Sequence, residues 1–200
     1  LGPCTWRGLE VFCGPDGLTP ASDVLYLNDG LEEGFSFSEM GEAWGIREAG
    51  PYFGLGVLAV DFDDDGDPDI YVANDSQPNL LLRNHGHGHR QRLIDVAVEA
   101  GVAHSADGRN QAGMGVASSD CDGDGDLDLL VTNFSHDYNA LYRNRGDGTF
   151  SESSFGSGIG AASMGVLGWS VGFLDYDNDG DDDLFVANGH VYPQVGLGEG

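Results

Sequence analysis

Aspartate recurs at one spacing in three nine-residue windows. Asp61, Asp63, Asp65, Asp67 and Asp69 form the first, Asp120, Asp122, Asp124, Asp126 and Asp128 the second, and Asp175, Asp177, Asp179, Asp181 and Asp183 the third. Each window has glycine at its sixth position, Gly66, Gly125 or Gly180. The windows carry six, five and six acids, 17 of the 34 in the chain, and open 59 and 55 residues apart. A net charge of −26 spread evenly over 200 residues would favour disorder. Concentrated in this way, it leaves ordinary globular sequence between the windows, with 40% hydrophobic residues to build a core.

The repeat extends beyond the acids. Before each window a small-residue step leads into an apolar run: Gly54-Leu55-Gly56-Val57, Gly113-Met114-Gly115-Val116 and Gly168-Trp169-Ser170-Val171. After each comes a β-branched run ending in asparagine: Ile70-Tyr71-Val72-Ala73-Asn74, Leu129-Leu130-Val131-Thr132-Asn133 and Leu184-Phe185-Val186-Ala187-Asn188. A further element recurs as Val24-Leu25-Tyr26-Leu27-Asn28, Leu80-Leu81-Leu82-Arg83-Asn84 and Ala140-Leu141-Tyr142-Arg143-Asn144. Each copy runs into a Gly-rich turn and then a more variable strand such as Leu93-Ile94-Asp95-Val96. One unit therefore reads as four short antiparallel strands, which predicts an all-β fold of β-propeller blades. The expected organisation is a Cys/Pro/Gly-rich opening segment at 1–22, the second half of a blade at 23–53, complete blades at 54–112 and 113–167, and the first half of a blade at 168–200. Closed propellers have about 4 to 8 blades, so the expectation is a fragment of a longer protein.

The windows have the chemistry of a cation loop. Carboxylates at positions 1, 3 and 5 converge only if the backbone curls tightly, which glycine at position 6 permits. Position 7 (67, 126 and 181) offers a backbone carbonyl, and the aspartate at position 9 closes the shell. An all-oxygen, flexible shell of six or seven ligands favours Ca²⁺ over Mg²⁺, giving three expected calcium sites. Two like charges about 4 Å apart cost ~1 kcal/mol even in water, so carboxylates gathered this closely call for a counter-ion. Position 12 is Val72, Val131 or Val186 within strand sequence, so the loop shares only the ligand half of an EF-hand.

The D-x-D-x-D-G-x-x-D loop, the V-A-N or V-T-N strand end, and Leu141 to Asn144 with Gly146 to Phe150 resemble FG-GAP/VCBS repeats. Phe12-Cys13-Gly14-Pro15, Gly113-Met114-Gly115-Val116, the stretch Asn133 to Asn139 and the stretch Asn188 to Gln194 resemble, more narrowly, the cartilage acidic protein and ASPIC/UnbV family. The resemblance implies an integrin-like, seven-bladed propeller on a secreted or surface protein, with the aspartates above as Ca²⁺ ligands. The sequence departs from the pattern at His85-Gly86-His87-Gly88-His89 and at the Leu31-Glu32-Glu33 expansion, and the small domain expected after the propeller is absent from these residues.

Other motifs carry weaker signals. Gly168-Trp169-Ser170-Val171-Gly172 spells a nucleophile elbow, but Ser170 aligns with Gly56 and Gly115 at a strand entry rather than a strand-to-helix turn. Ser135-His136-Asp137 has the letters of a triad in adjacent positions, where they cannot converge. His85, His87 and His89, and the tripeptide Arg145-Gly146-Asp147, fall at turn positions. Cys121 takes the place of Phe62 and Tyr176 and is expected to pack; Cys4 and Cys13 can be bridged or free. Asn74-Asp75-Ser76 and Asn133-Phe134-Ser135 are glycosylation sequons.

The charge disfavours nucleic acid and anionic lipid surfaces, and no stretch approaches the roughly 18 to 20 apolar residues of a membrane span. The expectation is a non-enzymatic, calcium-binding propeller segment that is secreted, periplasmic or at the cell surface. It would bind an extracellular protein or glycan and pack against the rest of its own propeller. The alternatives are the scaffold part of a secreted calcium-dependent hydrolase or lyase whose catalytic site lies elsewhere, and a subunit that assembles with other propeller fragments.

Overall fold

The computed structural model describes residues 4–6, 8–11, 13–15, 17–30, 34–86 and 92–192. Phe12, the Leu31-Glu32-Glu33 expansion, His87, Gly88, His89, Pro193 and Gln194 lie outside the described residues. The strands are β1 (Cys4–Trp6), β2 (Leu9–Val11), β3 (Ala21–Ser22), β4 (Tyr26–Asn28), β5 (Phe37–Glu39), β6 (Pro51–Tyr52), β7 (Gly54–Val60) and β8 (Asp69–Asn74). They continue as β9 (Leu80–Asn84), β10 (Leu93–Asp95), β11 (Gly113–Ser119), β12 (Asp128–Asn133), β13 (Ala140–Asn144), β14 (Phe150–Glu152), β15 (Leu167–Leu174) and β16 (Asp183–Gly189).

The fold is all-β. Strands β7 to β10 and β11 to β14 form two four-stranded sheets in chain order with every pair antiparallel, and β15–β16 and β4–β5 form two-stranded sheets. These are meanders of the kind that make propeller blades. The β1–β2 hairpin is closed by a Cys4–Cys13 disulfide, which answers the open cysteine question in favour of the bridge.

Period-2 alternation within each strand faces its residues to two different neighbours. On β8 and β9, Tyr71, Ala73 and Leu81 pack against Leu129, Val131, Ala140, Tyr142 and Phe150 of the following sheet. Val72, Leu80 and Leu82 face the opposite way, against Ile46 and Leu93. Both faces are buried, which is why these strands read as continuous apolar runs rather than as alternating ones.

The glycine steps hold the sheets close together. Strands β7, β11 and β15 lie side by side. A methyl group built on Gly56 would lie 2.3 Å from the Met114 carbonyl oxygen, and one on Gly115 would lie 2.4 Å from that of Trp169. Each of these three strands also has a register shift at its start, between Gly54 and Gly56, Gly113 and Val116, and Gly168 and Ser170. Ser170 therefore sits on a strand, as its alignment implied.

Three single-turn helices not anticipated from the sequence link successive units: α1 (Ile46–Ala49), α2 (Ala97–Ala100) and α3 (Ile159–Ser163). A repeated signal was present for two of them. Glu48-Ala49-Gly50 and Glu99-Ala100-Gly101 both end in a glycine at positive φ, 106° and 82°, and Gly101 has the left-handed conformation that stops a helix.

Candidate metal centre

Antiparallel order puts the loop between first and second strands, and the Gly turn between third and fourth, at the same end of each four-stranded sheet. That end carries the first two acidic windows, the third joins β15 to β16, and the internal geometry of all three repeats. The position-1 carboxylate accepts two backbone N–H groups, from positions 5 and 6. Asp61 accepts from Asp65 (3.2 Å) and Gly66 (2.9 Å), Asp120 from Asp124 (3.1 Å) and Gly125 (3.0 Å), and Asp175 from Asp179 and Gly180 (3.1 Å each). The position-5 carboxylates of Asp65, Asp124 and Asp179 accept the N–H of Asp67, Asp126 and Asp181 at 2.9, 3.0 and 3.0 Å.

This curl needs left-handed backbone at two places. Position 6 has φ of 93°, 99° and 98° at Gly66, Gly125 and Gly180. Position 4 has φ of 55°, 71° and 62° at Asp64, Gly123 and Asn178. Asp, Gly and Asn are the residues that tolerate this region, a signal at position 4 that the sequence reading passed over.

Position 9 ties each loop to the sheet. Asp69 is fully buried, with one oxygen accepting from Phe62 N–H (3.2 Å) and the other from Asn84 N–H on β9 (2.8 Å). Asp128 repeats this with Cys121 (3.2 Å) and Asn144 on β13 (2.9 Å). Burial raises the carboxyl pKa of both, opposed by these backbone donors. Asp183 accepts from Tyr176 N–H (3.0 Å) and is exposed.

Carboxylate oxygens gather within 4.8 Å of one another in three groups: Asp61, Asp63 and Asp69; Asp120, Asp122 and Asp124; Asp175, Asp177 and Asp183. Positions 1 and 3 are common to all three, and position 9 or 5 completes each. The donor set is entirely carboxylate oxygen, suited to a hard cation. Asp63 adds a direct sign of fit, because its Oδ1 is buried with no hydrogen-bond partner. Its Oδ2 is 3.3 Å from Arg83 Nε, off the axis of a hydrogen bond, so the contact is an ion pair. Arg143 is paired with Asp122 through Nη2 and Oδ2.

The remaining sequence motifs have structural partners. His85 opens its turn by donating its N–H to Arg92 O (3.2 Å). In the Arg145-Gly146-Asp147 turn, Asp147 Oδ1 accepts both the N–H (3.0 Å) and the hydroxyl (2.6 Å) of Thr149, which holds its pKa below the usual carboxylate range. Ser135-His136-Asp137 does not form a triad: Asp137 accepts from Ala112 N–H (3.1 Å), and His136 N–H reaches Met164 O (3.0 Å). The histidine that approaches Ser135 Oγ, at 3.5 Å, is His190, and its Nδ1 accepts Tyr192 N–H (3.2 Å). Nε2 then carries the proton and donates to Ser135, the reverse of a general base. The sequon asparagines are buried, with Asn74 Nδ2 donating to Pro78 O (2.6 Å) and Asn133 Nδ2 to Tyr138 O (2.8 Å). Cys121 is a free thiol that lies exposed rather than packed as expected, because its short side chain does not reach the following sheet as Phe62 does; partial desolvation and the carboxylates of Asp128, Asp182 and Asp120 push its pKa up to about 12.

Residues 120–186 match the family model for the FG-GAP-like repeat, which begins with the second acidic loop and ends on β16. Those residues therefore have the sequence of an FG-GAP-like repeat, on strands β12 to β16 of the all-β fold above. The chain is also similar to Cartilage acidic protein 1 of Homo sapiens, 28% identical over 182 residues that make up 86% of this chain and 26% of that protein. It is similar to Cartilage acidic protein 1 of Mus musculus, 28% identical over 146 residues, or 68% of this chain and 21% of that protein. The chain thus spans about a quarter of the length of the curated relatives it matches.

Proposed function

We propose that this chain is a calcium-binding segment of an extracellular β-propeller that acts as a binding module for protein or glycan ligands. The observation that carries this reading is the threefold loop geometry, in which position-1 and position-3 carboxylates converge, and in the first loop the position-3 oxygen, Asp63 Oδ1, is buried with no partner. Asp61, Asp63, Asp65 and Asp69, with the carbonyl of position 67, would hold the first ion, and the counterparts at 120–128 and 175–183 the other two. Bound Ca²⁺ would supply the positive charge that lets these oxygens stay together. The chain's own residues supply the curl: Gly66, Gly125 and Gly180 turn the backbone, and Asp69 and Asp128 fasten each loop to the third strand of its sheet.

Several features support the finer points. The Cys4–Cys13 bridge fits an oxidising compartment, whether secreted, periplasmic or at the cell surface. Exposed apolar residues on the β4–β5 and β15–β16 sheets, among them Tyr26 and Phe185, fit a propeller that continues to seven blades in a longer chain of the cartilage acidic protein and ASPIC/UnbV type. In this reading the segment itself has no catalytic role.

Thermal unfolding tests the calcium claim. A ligand bound only by the folded state adds ~2.7 kcal/mol per site at a hundredfold excess over Kd. The melting temperature should rise on adding Ca²⁺, rise less with equal Mg²⁺, and return with chelator. A melting curve that ignores calcium contradicts the reading.

A further inference from the structure

The third-strand arginine occurs where an acidic loop and its third strand are both present among the described residues, and in both cases it contacts the same place. Arg83 on β9 lies against Asp63, position 3 of the first loop, and Arg143 on β13 is paired with Asp122, position 3 of the second. Position 3 is also distinctive among the loop carboxylates, because positions 1, 5 and 9 accept backbone N–H groups whereas position 3 faces the guanidinium. Arg83 is held at a second point: its Nη2 donates to Gly148 O, 3.1 Å away in the Gly turn of the next sheet. Its side chain is 16% exposed, so the pair is shielded from much of the screening that makes surface pairs weak.

Resting on the calcium reading above, we infer that Arg83 and Arg143 are built-in counter-cations that stabilise the metal-free loops and thereby lower their calcium affinity. Without an ion, converging carboxylates repel one another, and a guanidinium on position 3 offsets part of that repulsion. It leaves Asp63 Oδ1 free to take a metal. When a divalent ion arrives, Arg83 cannot swing far, because the Gly148 carbonyl anchors it, so ion and guanidinium repel; Arg143, whose side chain is 41% exposed, repels the ion by its charge alone. Whatever stabilises the empty state against the loaded one weakens binding by the same factor. Arg83 also joins the first loop to the following sheet, so loading that loop bears on the contact between sheets.

The test is calcium titration calorimetry on the 200-residue chain carrying Arg83→Leu or Arg143→Leu, with melting in chelator measured alongside. Each substitution should tighten one of the three sites on the order of tenfold, the effect of removing a unit charge close to a divalent ion even under full water screening. Each should also lower the melting temperature of the chelated protein while enlarging the rise that calcium produces. Arg47→Leu, which removes an equal charge from an exposed pair with Glu39 and Glu42, should leave all sites within about twofold. Arg83→Lys, which keeps the charge, should bind close to wild type and serves if Arg83→Leu fails to fold. Unchanged or weaker calcium binding in the leucine variants, or equal tightening by Arg47→Leu, overturns the inference while leaving the calcium reading intact. A wild-type chain that takes up no calcium sinks the reading itself.

Discussion

Phe62, at position 2 of the first acidic loop, meets Phe150 of the following sheet edge-on, with ring centroids 5.7 Å apart and planes at 80°. The side chain of Asn144 next to it donates to Phe62 O at 3.0 Å. Phe62 therefore points out of its own loop and plugs the neighbouring sheet, so the first loop, which gathers carboxylates, also sets the spacing between sheets; Cys121, smaller, is exposed at the same position of the second loop. Cys121 and Tyr176 hold the same position in the other two loops. Phe62 is 4% exposed and Tyr176 is 80% exposed, which separates a plug in place from one without a cover among the described residues.

Phe62→Ala should destabilise the chelated protein by about 3–5 kcal/mol, the usual cost of removing a buried phenylalanine. Tyr176→Ala should stay within about 0.5 kcal/mol. Urea unfolding midpoints measure both, and equal effects would contradict the assignment of Phe62 as an intersheet plug.

In the chelated protein Cys121 should react slowly for a free thiol. With its pKa pushed up to about 12, almost none is thiolate near neutral pH. Its alkylation rate by iodoacetamide should trail that of an unfolded control by orders of magnitude and climb steeply above about pH 9. Rapid labelling at neutral pH would show that the desolvation and the Asp128 carboxylate do not act on it as described.

The sequons should remain unmodified in the folded protein. Asn74 and Asn133 are buried, and their amide nitrogens are committed to Pro78 O and Tyr138 O. Expression in a glycosylating eukaryotic host followed by intact-mass measurement should show no glycan at either site. A glycan on natively folded, secreted protein would contradict the placement of these side chains.

Burial raises the pKa of Asp137, with Ala112 N–H and nearby cationic groups opposing it. A carboxyl raised in the folded state binds its proton more tightly there than when unfolded, so this group favours folding most below its unfolded pKa of 3.8 and loses that contribution as pH rises through the folded value. Asp137→Asn keeps an oxygen for Ala112 N–H and removes the charge. It should raise the melting temperature at about pH 7 and have no advantage near pH 4. A variant less stable than wild type at neutral pH would show that the carboxylate is held for its charge.

The sequence revealed much of this arrangement because its information is local. Gly at position 6, the Asn that ends β8 and β12, and the strand runs repeat at fixed offsets, and each constrains the backbone where it stands. The division of labour among the aspartates was not legible. That Asp69 fastens the loop to Asn84, and that Asp63 faces Arg83, depends on which strand pairs with which. The reach of Arg83 to Gly148 crosses 65 residues and an intersheet boundary, beyond any spacing rule. The one-turn helices were missed for another reason: four or five residues give no helical periodicity, and only the repeated Glu-Ala-Gly announces two of them.

The most direct measurement of the central claim is calcium titration by calorimetry on the metal-stripped chain and on two variants, Asp122→Ala and the triple Asp63→Asn, Asp122→Asn, Asp177→Asn. The account predicts three equivalents for the wild-type chain, two for Asp122→Ala, and none of comparable affinity for the triple variant, with all three proteins retaining the far-ultraviolet spectrum of β structure. Absence of uptake by the folded wild-type chain, or undiminished uptake by the triple variant, would contradict the assignment of these loops as calcium sites.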